Sequence, residues 1–251
     1  MRELASRGAQ IIALTHTLSD PAIQSLVDVL RATTGNELIY AEQCDLDSPA
    51  SIKNFSAQFL KASGSGIDAE IPRIDAIILA HEYSHLGVIR ASRFVREDEK
   101  HEREDGARAS FLLTTTLLPT LLLAPPDRDI RIVHVVNPFY AAAVPSFSHV
   151  LTSSSLPKDL SIWQAEGFRS LRAILFSRHL QRVLEALPSK DQPAVKLPEE
   201  GEEATMPKKR PGRSNIVAVA VSPGVSRADT IGPYLRADQT SRHFRLVGLL
   251  S

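Results

Sequence analysis

The sequence predicts an α/β fold in which helices cover both faces of a doubly wound parallel sheet. Strand-like and helix-like segments alternate along the chain. The strand-like segments are short runs that are apolar on both sides, which is typical of strands buried in a parallel sheet. Between them, apolar residues recur at helical spacing. This alternation favours one parallel sheet over separate layers of strands and helices.

The first half of the chain contains three predicted strands and two predicted helices. The strands are residues 10–14, 37–40 and 75–80. Asp20-Pro21 opens the first helix, because proline is favoured in a first helical turn, and Gly35-Asn36 ends it. Ser48-Pro49 opens the second helix with a serine that can cap it.

The second half adds helices at residues 109–123 and 163–187 and strands at residues 130–136 and 215–221. Two charged stretches, 95–105 and the Pro-rich 189–213, lack an apolar period. We therefore predict that the first is a loop and the second a disordered insertion. The length of 251 residues is consistent with one domain over residues 1–251.

The composition favours an intracellular globular protein. Lys plus Arg and Asp plus Glu both number 29, so no net field attracts nucleic acid. Cys44 is the single cysteine, which excludes an internal disulfide and is typical of a reducing compartment. Residues 1–7 are charged, unlike a secretory signal. The longest apolar run, 111–124, is predicted to be too short to span a membrane.

The C-terminal residues 244–251 are apolar and leave two interpretations open. They could be an end segment that docks on the fold, or the beginning of a longer hydrophobic tail. In the second case they would attach the protein peripherally to an intracellular membrane or lipid droplet. One short apolar segment binds a lipid surface only weakly.

Five motifs occur in an order and at intervals that resemble a known superfamily. They are residues 2–10, Asp45-Leu46 after Cys44, residues 131–136, residues 174–180, and residues 222–229, which begin with Ser222-Pro223-Gly224. Together they resemble the short-chain dehydrogenases/reductases, in particular the branch related to retinol dehydrogenases. The resemblance implies a Rossmann-like fold, NAD(P) as cofactor, and oxidation or reduction of lipid-like alcohols and ketones.

The resemblance also assigns residues to the cofactor, all of them as expectations. Asp45 and Leu46 would hold the adenine, and His16 stands where NADP-preferring relatives carry an arginine. The remaining assigned residues are Ala80, Pro223 and Gly224. The family's Thr-Gly-x-x-x-Gly-x-Gly loop does not occur in the sequence, and the resemblance places it, with the first strand, before Met1. NAD and NADP therefore both stay open, and binding by this chain is in doubt.

The catalytic residues of the family are replaced. Asn137 stands at the serine position, and the active-site asparagine falls near Gly106. For the tyrosine and lysine two registers stay open, either Glu166 with Ser170 or Phe168 with Arg172. Neither supplies a phenol beside a lysine, the acid and cation that carbonyl reduction needs. We therefore expect no secure catalytic residue.

Two other groups of residues are weighed as sites. Two histidines four residues apart, His81 and His85, follow a predicted strand, with Glu82 between them. Because no third ligand is evident nearby, we predict no metal site. Ser153-Ser154-Ser155 is predicted to be a loop, since no His–Asp pair accompanies it.

Three functions follow as hypotheses. The chain is an inactive relative of the oxidoreductases, a trimmed product of a longer active one, or a non-catalytic scaffold on a membrane or lipid surface. In all three the missing strand would leave strands 10–14 and 75–80 with unpaired edges, so we expect poor solubility or pairing with another protein chain.

Overall fold

The computed structural model describes residues 1–62, 73–83, 97–125, 127–147, 161–187 and 214–224. The chain divides into two compact units. The N-terminal unit comprises Met1–Pro72 and Arg108–Leu118, and the C-terminal unit comprises Arg73–Ala107 and Pro119–Ser251. The expectation of one domain over the whole chain stays a prediction.

The N-terminal unit alternates helices and strands. Its elements are α1 Arg2–Ser6, β1 Ile11–Thr15, α2 Pro21–Thr34, β2 Ile39–Gln43 and α3 Pro49–Ala62. The two strands are parallel, with Ile11 opposite Ile39. A small core of buried apolar side chains lies between the strands and helices α1 and α2, formed by Ala5, Val27, Leu30 and Ile39.

Helix α2 begins and ends where the sequence predicts. The Asp20 side chain accepts a hydrogen bond from the Ala22 N–H at 2.9 Å, and Pro21 is the first helical residue. Gly35 ends the helix with φ 65°, a left-handed conformation that favours glycine. Asn36, which follows, donates from Nδ2 to the carbonyl oxygens of Ala5 and Ala9 and so ties α1 to the start of β2.

The C-terminal unit contains a parallel three-stranded sheet in the order β3-β4-β5. The strands are β3 Ala76–Leu79, β4 Ile130–Val135 and β5 Ile216–Val221. The helices are α4 Glu97–Leu123, the short α5 Tyr140–Ala143 with a 3₁₀ turn after it, and α6 Ile162–Ala186. Helix α6 begins with a capping box, in which the Ser161 hydroxyl accepts from the Gln164 N–H.

Helix α4 corrects two expectations. Residues 97–105, predicted as a loop, are helical, so the charged sequence extends the apolar helix by about two and a half turns. By length and composition Gly106–Leu123 is also long enough to cross a membrane. However, Leu113, Leu117 and Leu121 are buried in the protein, as they would be in a core helix.

The prediction of parallel strands alternating with helices is confirmed. In the part of the chain that the structure describes, β1 and β2 form one sheet and β3, β4 and β5 another. A missing central strand stays a prediction. Predictions for the insertion 189–213, for Ser153–Ser155, for His85 and for residues 244–251 lie outside the described residues.

Candidate functional site

Four charged side chains of the C-terminal unit form a continuous row of ion pairs. Glu82 Oε1 lies 3.4 Å from Arg172 Nη2 and 3.6 Å from Arg169 Nε. Arg169 Nη1 lies 3.7 Å from Glu166 Oε2. Glu82 and Glu166 are buried, and Arg172 is the most exposed of the four. We call this row the ion-pair cluster.

The cluster joins the turn after β3 to one side of α6. Glu82 lies in a turn closed by a hydrogen bond from the Tyr83 N–H to the Ala80 carbonyl. Residues 166, 169 and 172 are three apart in α6, so they project from one side of the helix. The sequence analysis singled out Glu82, Glu166 and Arg172 but missed Arg169. Its i,i+3 spacing to both neighbours was the signal that could have found it.

Gly106 of α4 provides the space for Glu82. A Cβ atom at this position would lie 3.0 Å from Glu82 Cγ. The Gly106 carbonyl is also 2.8 Å from His81 Nε2 and forms a hydrogen bond with it. The position where the family resemblance places an asparagine side chain is thus filled by the carboxylate of Glu82.

Asn137, at the expected serine position, forms hydrogen bonds that hold the turn after β4. Its N–H donates to Ser170 Oγ at 3.1 Å, and its Oδ1 accepts from the Phe139 N–H at 3.1 Å. The side chain is fully buried, and its Nδ2 has no hydrogen-bond partner among the described residues. Asn137 therefore shapes the turn from β4 into α5.

Gly167 lets that turn pack closely on α6. A Cβ atom at Gly167 would collide with the Phe139 carbonyl oxygen. Beside this contact the rings of Phe139 and Trp163 are 4.7 Å apart. The residue between Glu166 and Phe168 is thus required to be small for packing.

His134 of β4 is buried beneath the same helix. Its ring meets the edge of Phe176 at 5.4 Å, and its Nε2 has no hydrogen-bond partner among the described residues. Burial, with a smaller contribution from the charge of His81, lowers the pKa of His134 to about 4. The imidazole is therefore neutral at physiological pH.

The structure places both candidate registers for the tyrosine and lysine in this unit. Ser170 contacts Asn137, whereas Arg172 contacts Glu82. Phe168 is buried. No phenol lies at any of these positions, and Tyr140 begins α5 with its side chain partly exposed. The contacts do not favour one register over the other.

The predicted adenine-binding residues lie at the carboxyl ends of β1 and β2, where ligands bind in open α/β sheets. His16 Nδ1 is 3.3 Å from Asp45 Oδ1. The same Asp45 oxygen accepts from the Asp47 N–H at 3.0 Å, and the Asp45 N–H donates to Ser51 Oγ. Leu46 is only partly buried. The Asp45 carboxylate thus caps its own turn, and it also faces the His16 imidazole.

Cys44, directly before this pair, is buried. Burial is the main reason that the pKa of its thiol is raised, and the neighbouring Asp45 raises it further, against a hydrogen bond from Ser51 that lowers it. A neutral, enclosed thiol is a core residue, as the sequence predicts, and a poor nucleophile.

The described turns of the N-terminal unit do not fit a dinucleotide pyrophosphate. Neither the turn from β1 to α2 nor that from β2 to α3 contains a glycine. At the start of α2 the Asp20 carboxylate already accepts the Ala22 N–H. A phosphate there would meet a negative charge instead of free N–H groups.

The other residues assigned to the cofactor, Ala80, Pro223 and Gly224, follow the strands β3 and β5. The Ala80 carbonyl accepts the Tyr83 N–H, and Gly224 adopts φ 78° directly after Pro223. That positive φ is consistent with a glycine requirement in the Pro-Gly loop. Among the described residues no three His, Cys, Asp or Glu side chains converge to hold a metal ion.

Two curated proteins are similar to this chain in sequence. The chain is 27% identical to the uncharacterized oxidoreductase pbr1 of Schizosaccharomyces pombe over 190 residues, and 32% identical to the uncharacterized oxidoreductase YNL181W of Saccharomyces cerevisiae over 136 residues. These alignments cover 74% and 52% of this chain. They cover 48% and 32% of the relatives, so the chain spans half of their length or less.

No protein-family model matches the chain. Among solved structures, a metagenomic short-chain oxidoreductase in complex with NADP superposes with a TM-score of 0.50 at 16% identity. The superposition covers 73% of this chain and 68% of that one. The chain therefore has a Rossmann-like fold similar to that of a short-chain oxidoreductase, and in sequence it is similar to two uncharacterized yeast oxidoreductases.

Proposed function

We propose that this chain is a non-catalytic relative of the short-chain oxidoreductases. The observation that carries the proposal is the ion-pair cluster. The cluster includes Glu166, which stands at the family's tyrosine position in one register, and Arg172, which stands at the lysine position in the other. Neither register offers a phenol beside a lysine. We further propose that the active ancestors belong to the retinol-dehydrogenase-like branch, which the sequence motifs support.

The chemistry of carbonyl reduction explains why the replacements matter. An NAD(P)H cofactor would supply the hydride, and the protein must place an acid within about 2.6–3.2 Å of the carbonyl oxygen. Phe168 has no proton to donate. Glu166 is buried against Arg169, where its carboxylate is engaged in an ion pair and not presented to a substrate. Asn137 Oδ1 is held by the Phe139 N–H.

Cofactor binding by this chain is the second part of the proposal. His16 and Asp45 lie together at the expected edge, which supports contact with an adenosine group. Without a glycine loop for the pyrophosphate, we expect NAD(H) and NADP(H) to bind with at best millimolar dissociation constants. Calorimetric titration measures this directly. Energy transfer from Trp163, the single tryptophan, to a reduced nicotinamide provides an independent signal.

The decisive experiment is an activity assay of the purified chain. NADH or NADPH is offered with a panel of aldehydes, ketones and sterols, and we expect no oxidation above the buffer rate. Arg178→Ala, at an exposed position of the same helix α6, is the matched control for Asn137→Ala. Oxidation that Asn137→Ala abolishes and Arg178→Ala preserves would show that the chain is an enzyme.

A second candidate is that the chain is a trimmed product of a longer, active oxidoreductase. The relatives favour it, because the alignments cover half of their length or less. It predicts a transcript whose reading frame encodes a glycine-rich loop upstream of Met1. It also predicts that the longer protein, and not this chain, oxidises NAD(P)H. A message with a stop codon in frame just upstream of Met1 contradicts it.

A further inference from the structure

Strand β2 of the N-terminal unit has one edge that faces away from β1. In a parallel pair, alternate residues of each strand form the hydrogen bonds to the neighbour. Directly after β2, the Cys44 N–H donates to the Thr15 carbonyl of β1. The even-numbered residues of β2 therefore bond to β1, and the backbone groups of Ala41 and Gln43 point the other way. We call this side of the strand the outer edge of β2.

Arg31 of α2 occupies one end of the outer edge. Its Nη2 donates to the Ile39 carbonyl, and its guanidinium lies 5.7 Å from the centre of the Tyr40 ring. Farther along, the outward backbone groups of Ala41 and Gln43 have no hydrogen-bond partner among the described residues. An extended segment is the ligand for such an edge, because it presents backbone donors and acceptors at the matching intervals.

A cavity of about 290 Å³ lies between the outer edge of β2 and helix α2. Ala41 and Arg31 contribute to its lining, together with Leu18, Ile23, Gln24, Val27 and Asp28. The Gln24 amide is already engaged, since its Nε2 donates to the Leu18 carbonyl at 3.2 Å. With Leu18, Ile23, Val27 and Ala41 as the apolar part of the lining, the cavity suits an apolar side chain.

Asp28 gives the cavity a preference for positive charge. The Arg31 guanidinium is engaged by the Ile39 carbonyl and has Glu37 Oε2 at 4.0 Å. Asp28, by contrast, is exposed and forms no ion pair or side-chain hydrogen bond within the part of the chain that the structure describes. An unpaired carboxylate beside an apolar cavity is complementary to a ligand that carries a cation next to an apolar group.

We propose that an extended segment of a partner protein pairs with the outer edge of β2. One apolar side chain of the segment enters the cavity, and a lysine or arginine of the segment faces Asp28. Both side chains lie on the side of α2, so they are two residues apart in the segment, because successive side chains of a strand point to opposite faces. The backbone pairing supplies affinity, and the cavity and Asp28 supply selectivity.

A second copy of this chain is a poorer occupant of the same edge. Its β2 would present the Ala41 methyl group to the cavity, which is too small to fill it. Its Arg31 would also occupy the Ile39 carbonyl at the end of its own edge. The outer edge of β2 is therefore complementary to a different sequence, with a larger apolar residue and a cation.

The proposal is tested by peptide selection on the purified full chain. Random heptapeptides displayed on phage are selected, and the selected peptides are synthesised with a fluorescent label for anisotropy titration. We expect an apolar residue and a lysine or arginine two positions apart. Ala41→Pro removes an outward N–H and no hydrogen bond to β1, so it should weaken binding at least tenfold. Circular dichroism checks that this variant is folded.

A charge exchange tests the role of Asp28 without changing the backbone. Asp28→Lys should weaken binding of the selected peptides at least fivefold, and a peptide with glutamate in place of its lysine or arginine should bind this variant as tightly as the original pair. The matched control is Glu42→Lys, the same change of charge at an exposed residue on the opposite face of β2 from Ala41. It should alter the affinity by less than twofold.

Three results would overturn the proposal. The first is a selection that yields no binding peptide. The second is a set of peptides whose affinity neither Ala41→Pro nor Asp28→Lys changes, since they would bind elsewhere. The third is dimerisation of the chain in analytical ultracentrifugation that Ala41→Pro abolishes, because a second copy would then occupy the edge.

Discussion

Gly167 determines how closely α5 can approach α6, and its replacement gives a prediction with a clear sign. Alanine in place of glycine inside a helix normally stabilises by about 1 kcal/mol. In Gly167→Ala the new Cβ would collide with the Phe139 carbonyl oxygen, so the helices must separate. We expect the free energy of unfolding to fall by about 1–3 kcal/mol, as measured by urea denaturation.

The control for this variant is Arg178→Ala, which changes an exposed residue of the same helix. We expect it to alter the free energy of unfolding by less than about 0.5 kcal/mol. A Gly167→Ala protein as stable as the unchanged chain would mean that α5 does not pack on α6 as described.

His134 predicts how the stability depends on pH. Its pKa is about 4 in the folded protein and 6.5 in the unfolded chain. Between these values the unfolded chain binds the additional proton, so the free energy of unfolding falls as the pH decreases from about 6.5 to about 4. A difference of this size corresponds to roughly 3 kcal/mol. Urea midpoints measured at pH 7 and pH 4.5 determine the loss.

The variant His134→Phe separates this effect from the titration of the carboxylates. It keeps an aromatic ring against Phe176 and removes the titrating group. We expect its stability to vary less between pH 7 and pH 4.5 than that of the unchanged chain. The same pH dependence in both proteins would mean that other groups cause it.

At the scale of the elements, the ion-pair cluster distinguishes two arginines of α6. Arg169 is 14% exposed and lies between two buried carboxylates, whereas Arg172 is 45% exposed. Removing one partner of a buried pair leaves the other charge uncompensated and costs about 3–5 kcal/mol. Removing Arg172 leaves Glu82 still paired with Arg169, and an ion pair whose cation is half exposed contributes less.

We therefore expect Arg169→Met to destabilise the protein much more than Arg172→Met, although both changes replace arginine with methionine in one helix. Chemical denaturation of the two variants makes the comparison. Restoration of stability in Arg169→Met by the second change Glu166→Leu would confirm that an unpaired charge is the cause. Equal losses in the two single variants would contradict it.

The elements also show what the sequence could predict. Segments that are apolar on both sides predicted the alternation of strands and helices. The caps of α2 predicted where that helix begins and ends, because Asp20, Pro21 and Gly35 act locally. Residues 97–105 were misassigned because their charges hide the apolar period that marks a helix. The ion-pair cluster could not be predicted, since Glu82 and Arg172 are distant in sequence and only the fold brings them together.

At the scale of the whole molecule, the two separate sheets predict a protein that exposes apolar surface. Among the described strands, β1 pairs only with β2 and β3 only with β4, which leaves an edge of each without a partner. Such edges are templates for association. We propose that another protein chain completes a sheet edge in the cell.

For the isolated chain we therefore expect binding of a dye for exposed apolar surface, a broad thermal transition and loss of protein from solution at high concentration. Light scattering and dye fluorescence measure these properties. Arg178→Glu, a change at an exposed position of α6, should not alter them. A soluble monomer with a sharp transition and no dye binding would mean that another segment covers the edges and that the expected topology is wrong.

The register of the strands has a kinetic consequence. Ile11 pairs with Ile39, so β1, α2 and β2 form contacts between residues that are close in sequence. Ile130 pairs with Ile216, and this contact must close a far longer loop. Because loop closure slows the formation of distant contacts, β1–α2–β2 should become protected first and β5 last. Pulsed hydrogen exchange during refolding would resolve this order, and the delay leaves the β4 edge open to aggregation.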